Sequence, residues 1–195
     1  GSGKINNGAT SGRDRTRYLS VAANNQLNIT GDISIACWVK FNSLPSDRYE
    51  LVSKPYNGVE YGTYHLELNK NGANYELRGL SRVAGIFQTA IYTWNPSTGV
   101  WHHVVYTRTA SSGTQTLYVN GSQVAAVPNA SGPAQADNTP LFVTLFHPSL
   151  GSEGLSFDGT LDELGLWNVT LTSAQVGDLY NGGNGIQYGS GNVVQ

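Results

Sequence analysis

The segment ISIACWVKF (residues 33–41) alternates strictly. Ile33, Ile35, Cys37, Val39 and Phe41 form one set, and Ser34, Ala36, Trp38 and Lys40 fall between them. A period of two sends successive side chains to opposite faces of an extended chain, whereas a helix needs a period near 3.6. The segment is therefore a β-strand with one face committed to a core. Runs of the same kind recur: RYLSVAA (17–23), YELVSKP (49–55), GIFQTAIYTW (85–94), VWHHVVYTRT (100–109), QTLYVNGSQVAAV (115–127), LFVTLF (141–146) and LSFDGTLDELGLWNV (155–169). TYHLELNKNGANYELRGL (63–80) predicts a hairpin turning at NKNGAN, and Asn120-Gly121 marks a second tight turn.

A single segment, TSAQVGDLYNGG, has helical spacing. Thr172 is placed as its N-cap, with Gln175 three residues on to complete a capping box, and Gly182 as its stop. Many short strands and one helix predict an all-β fold, a two-sheet antiparallel β-sandwich with one short C-terminal helix. Residues 1–16 read as an irregular lead-in, 17–182 as the domain and 183–195 as a tail. The chain has no Met and begins Gly-Ser, which reads as a cloning scar ahead of a piece excised from a longer protein.

Charged residues make up only 12% of the 195, with a net charge of −2, and no basic stripe exists. That argues against a nucleic acid partner, which needs clustered cations to meet phosphates. No apolar run approaches the length of a membrane helix. The single cysteine, Cys37, has no internal partner and sits mid-strand, where it reads as a small buried apolar residue.

The pieces YLSVAANNQLNITGDISIACWVKF, LVSK, WHHVVYT, LYVNG and FDGTLDELGLWNVTLTSAQVGDLYN occur in order. As a set they resemble the laminin-G-like, concanavalin A-like jelly-roll domains, over roughly residues 17–182. The resemblance implies two antiparallel sheets with one concave face. Such domains include pentraxins, carbohydrate-binding modules, adhesin modules, parts of phage tails and some glycosidases, so the fold leaves function open.

Glycosidases of this fold carry acids two and more residues apart on one strand, so that nucleophile and acid share a face. Here Asp162 and Glu163 are adjacent, and regular alternation sends them to opposite faces. YHLEL (64–68) and the two YEL segments (49–51, 75–77) offer one Glu each, so a partner would have to come from another strand. No GxSxG elbow, HExxH or cysteine cluster is present. His102 and His103 read as packing residues. The chain is expected not to be an enzyme.

By alternation Asp162 shares the face of Leu164 and Leu166, which should point to the core. The resemblance implies one structural Ca²⁺ near the start of the last strand, held by Asp162 with carbonyls of the N-terminal segment and Asp14 as a second carboxylate. The competing reading is an Asp satisfied by backbone N–H groups.

Sugars are recognised by aromatic rings stacked on C–H faces and by polar groups reading hydroxyls. Tyr56, Tyr61, Tyr92 and Trp94 are the candidate rings, with Asn57, Arg78 and Arg82 nearby. The expectation is a recognition module that binds a glycan or cell-surface ligand. It would work extracellularly, on a cell or virion surface, joined to other domains of a larger chain and with no membrane insertion. A spacer or assembly domain of a surface fibre or phage tail is the alternative.

Overall fold

The computed structural model describes residues 2–5, 7–11, 18–56, 59–145 and 157–188 (of 11, 59–61, 144 and 145 the backbone only). Among the described residues twelve strands form two sheets of six. The first sheet runs β1 (Ala9–Ser11), β12 (Gly159–Trp167), β3 (Ile33–Phe41), β8 (Trp101–Arg108), β9 (Gln115–Val119), β10 (Ser122–Val127). The second runs β2 (Leu19–Val21), β11 (Leu141–Leu145), β4 (Arg48–Tyr56), β5 (Val59–Asn71), β6 (Asn74–Val83), β7 (Ile86–Thr93). Neighbours pair antiparallel throughout, giving the all-β sandwich and jelly-roll class. Within the expected lead-in, Ala9–Ser11 pairs with β12 as an edge strand too short to show a period.

The main core lies between the sheets. Ile33, Ile35, Cys37, Val39 and Phe41 of β3 all enter it. Burial pushes the Cys37 thiol up to about 12, which keeps it protonated and inert. Ser34, Ala36 and Trp38 on the other face are also buried, because a second layer covers the first sheet. That layer is α1 (Ser173–Tyr180), whose Val176 and Leu179 pack with Ala36, Val105 and Tyr118. Thr172 and Gln175 form the expected capping box. The helix ends one residue early, on Asn181 with φ +48°, since Asn tolerates the left-handed region almost as glycine does.

Asn120 and Gly121 both have positive φ, the geometry of a two-residue turn that matches strand twist, and they join β9 to β10. The turn 71–74, with Gly72 at φ +61°, joins β5 to β6 as expected.

Tyr106 ties the sheets together. Its ring leaves β8, crosses the core and lies over Gly79 of β6, and its hydroxyl is 2.7 Å from Ser81 Oγ. A Cβ on Gly79 would stand 2.1 Å from Tyr106 Cδ2. Gly79→Ala is therefore expected to lower stability by about 1–3 kcal/mol through overpacking. Urea denaturation checks it; a native-like midpoint would show that the ring can shift freely.

Candidate functional site

With Leu77, Gly79 and Ser81 of β6 turned to the core, Glu76, Arg78, Leu80 and Arg82 must project from the outer face of the second sheet. Strand register assembles rows there. Glu50 of β4, Glu67 of β5, Arg78 of β6 and Ile91 of β7 stand abreast. The next row is Ser53, His65, Leu80 and Thr89. Beyond it Arg82 stands opposite Phe87.

The centre of this face is charged and buried. Glu50, His65 and Glu67 are 1%, 1% and 0% exposed. His65 Nε2 lies 3.4 Å from Glu50 Oε1, and Arg48 Nε lies 3.7 Å from the same oxygen. Arg78 donates twice to Glu76 Oε2, at 2.9 and 2.7 Å, and its Nη1 is 3.7 Å from Glu67. Asn71 also donates to Glu76, at 2.6 Å. The rim is open: Ile91 and Phe87 are exposed. The Arg82 guanidinium carbon lies 4.9 Å from the Phe87 ring centre and 5.3 Å from that of Tyr56.

Two of the expected binding residues, Arg78 and, beside Arg82, Tyr56, therefore lie on this face. Tyr92 pairs with Leu77 and packs against the inter-sheet core. Trp94 packs edge-on to Phe41 and His102, with ring centres 6.2 and 5.1 Å apart. Asn57 lies outside the described residues, and the Tyr61 side chain does too.

Sequence reasoning missed Glu50, His65 and Glu67 as a unit. No single strand holds two acids, but register sets Glu50 directly across from Glu67. Burial pushes the Glu67 carboxyl above its ordinary range, helped by Glu50 and opposed by His65, Arg48 and Arg78. Burial acts to lower His65, but Glu50 and Glu67 outweigh it and the net shift is upward. A raised folded-state value contributes stability at low pH that is lost as pH rises through it. For Glu67 the loss begins above about 4.3, its ordinary value. Glu67→Gln is expected to gain stability relative to the native chain as pH rises from about 4 to 8. Urea midpoints across that range check it, and a pH-independent difference would contradict the assignment.

The adjacent acids of the last strand do something else. Asp162 pairs with Trp38 and Gly165 with Ala36, so β12 spends three steps where β3 spends two. This is a β-bulge, and Glu163 sits in it at φ +47°. The extra residue reverses the parity expected from alternation. Leu166 pairs with Ile35 and turns inward, while Asp162 joins Trp38 on the outer face of the first sheet. There Asp162 Oδ2 accepts from Ile5 N at 2.9 Å and Oδ1 from Glu163 N at 3.0 Å. Glu163 Oε2 accepts from Tyr188 N at 2.6 Å. The two acids thus fasten an N-terminal and a C-terminal segment side by side.

Both Asp162 oxygens take backbone N–H groups, and no group of three His, Cys, Asp or Glu side chains placed to hold a metal is present among the described residues. Asp14 lies outside the described residues. Asp162→Ala is expected to destabilise the fold by about 1–2 kcal/mol, by leaving the part-buried N–H groups of Ile5 and Glu163 without their carboxylate. Added Ca²⁺ should leave the melting temperature where EDTA leaves it. A rise that grows with the logarithm of Ca²⁺ concentration would instead mark a bound ion.

His102 and His103 are packing residues. His102 Nε2 is 3.0 Å from Ser97 O, and His103 Nε2 is 3.0 Å from the Tyr188 hydroxyl. Burial pushes His103 down to about 4, so it is neutral near pH 7. A separate cleft of about 340 Å³ is lined by amides, including Asn25, Gln26, Asn28 and Asn168, beside Asp32. It contains no ring to stack on, and Asp32 already accepts from Ala110 N at 2.8 Å.

Residues 13–177 match the laminin G family model of the concanavalin A-like lectin/glucanases superfamily, and the chain belongs to that superfamily. No curated protein matches it by sequence. Similar solved structures include a heptameric SAP-like pentraxin from Limulus polyphemus, at 15% identity and TM-score 0.68, over 89% of this chain and 80% of that one. Domain 4 of a GH43 extracellular arabinanase from Geobacillus stearothermophilus, in complex with arabinotriose, is similar at 19% identity and TM-score 0.67, over 91% and 78%. The binding domain of a paraclostridial mosquitocidal protein is similar at 18% identity and TM-score 0.72, over 92% of this chain but 44% of that one. These likenesses are of fold.

Proposed function

We propose that the protein is a non-catalytic glycan-binding module of a larger extracellular, cell-surface or virion-surface protein, and that it binds through the outer face of the second sheet. The observation that carries this reading is the meeting of exposed apolar side chains, Phe87 and Ile91, with two guanidinium groups and the half-buried Tyr56 on one preformed sheet. Rings supply the stacking surface and fixed polar groups supply orientation. The arabinotriose complex of a domain with this fold supports the class of ligand.

Two other readings each have an observation behind them. The Glu50–Glu67 pair fits hydrolysis of a glycosidic bond, but both acids are buried and engaged with cations. Tyr18, Leu19 and Val21 are exposed at an edge of the second sheet, with the Tyr18 ring 5.9 Å from that of Phe142, which fits an assembly contact.

A glycan array, run with and without EDTA, tests the proposal. Binding to at least one glycan class is expected, and Tyr56→Ala should weaken it roughly tenfold. Binding to no glycan would overturn the proposal, and release of reducing sugar from a bound polysaccharide would favour the hydrolase.

A further inference from the structure

We infer that the ligand of this face carries a carboxylate, so that the subsite around Arg82 takes an acidic sugar, a uronic or sialic-type residue, in preference to a neutral one. The inference rests on the glycan-binding reading above and narrows its ligand class.

The two arginines of β6 are in opposite states. Arg78 is neutralised, with bonds to Glu76 and an ion pair to Glu67. Arg82 has no carboxylate within ion-pairing distance among the described residues. Its guanidinium lies over the rings of both Tyr56 and Phe87. Its Nε donates to Gln135 Oε1 at 3.0 Å. That oxygen also accepts from Gly85 N at 2.9 Å, and Gln135 N donates to Arg82 O at 2.7 Å. Among the described residues, Arg82 Nη1 and Nη2 have no hydrogen-bond partner.

A guanidinium held in this way has already lost its side-chain freedom, so little further ordering opposes a ligand. Its remaining donors form a planar fork. A carboxylate meets that fork with two parallel charge-assisted bonds, whereas a sugar hydroxyl meets one arm with a weaker neutral acceptor. Flanking rings lower the local dielectric and strengthen the pair. The acids of this face stand in other rows than Arg82, and each lies within ion-pairing distance of a basic side chain: Glu50 of Arg48 and His65, Glu67 and Glu76 of Arg78. Arg82 is left as the unbalanced charge at the open rim.

The test is titration of the native protein against matched oligosaccharide pairs in Ca²⁺-free buffer. One pair is an oligogalacturonate and its carboxyl-reduced form, another is sialyllactose and lactose, and a sulfated oligogalactan is a further arm. The acidic member of at least one pair should bind roughly tenfold to a hundredfold more tightly, with the preference shrinking as salt is added. Arg82→Ala and Arg82→Lys should each remove most of the preference, lowering affinity for the acidic member of a pair far more than for its neutral counterpart. Arg82→Lys keeps the charge and loses the fork, and melting temperatures confirm that each variant is folded. Equal affinity within every pair, a sulfated ligand preferred over both carboxylated ones, or a preference kept by folded Arg82→Ala would each overturn the inference. Neutral binding alone would do so while leaving the glycan-binding proposal standing. Failure on every glycan would remove the proposal itself.

Discussion

Tyr106 sets the relation between the two halves of the molecule. Its ring fits over Gly79 because that residue has no side chain, and its hydroxyl meets Ser81. Both contacts lie on β6, so the parity of that strand is settled by them. Once residues 79 and 81 face inward, 78 and 82 must face outward, because side chains alternate along a strand. The two arginines of the candidate site are thus placed by a packing contact on the opposite side of their own sheet. Burial pushes the Tyr106 phenol well above its ordinary range, so the contact is a neutral hydrogen bond and does not depend on pH in the physiological range.

The polar loop at residues 128–140 completes that placement. It is held by buried cations that donate to its carbonyls. Lys54 Nζ reaches Asp137 O and Thr139 O at 3.0 and 2.8 Å, and Arg108 reaches Gly132 O. Ala134 N donates to Thr30 O at 2.7 Å. A loop so pinned presents Gln135 at a fixed point, and Gln135 in turn orients Arg82. The chain of cause runs from buried lysine and arginine, through loop carbonyls, to one guanidinium at the open rim. Buried cations need acceptors for their donors, and backbone carbonyls supply them to Lys54 Nζ and to the two terminal nitrogens of Arg108.

Much of the architecture was legible because it is local. The β3 alternation, the Asn120-Gly121 turn and the Thr172–Gln175 capping box each depend on residues within one or two turns of chain. What escaped depends on register between strands. Glu50 and Glu67 are far apart in sequence and become opposite one another only when β4 and β5 pair. Tyr92 is a candidate stacking ring by sequence, yet register with Leu77 turns it inward. The bulge at Glu163 is the sharpest case. A single inserted residue in the left-handed region reverses the face of everything on one side of it, and Glu163 carries no glycine-like signal of the kind that usually announces one.

The acids of this chain sort by what they face. Asp162 and Glu163 meet backbone N–H groups, and Asp158 takes the side chains of Asn42 and Ser43 at 3.1 and 2.6 Å. Such carboxylates close gaps in the backbone's hydrogen bonding, and their natural consequence is stability. Glu50, Glu67 and Glu76 face cations and an imidazole on a sheet surface, where their consequence is to absorb the charge of Arg48, Arg78 and His65. With these pairs at 2.7 to 3.7 Å, much of their charge is spent within the cluster. Arg82, at the open rim beside two rings and with no carboxylate within ion-pairing distance among the described residues, is then the charge that an approaching ligand meets first.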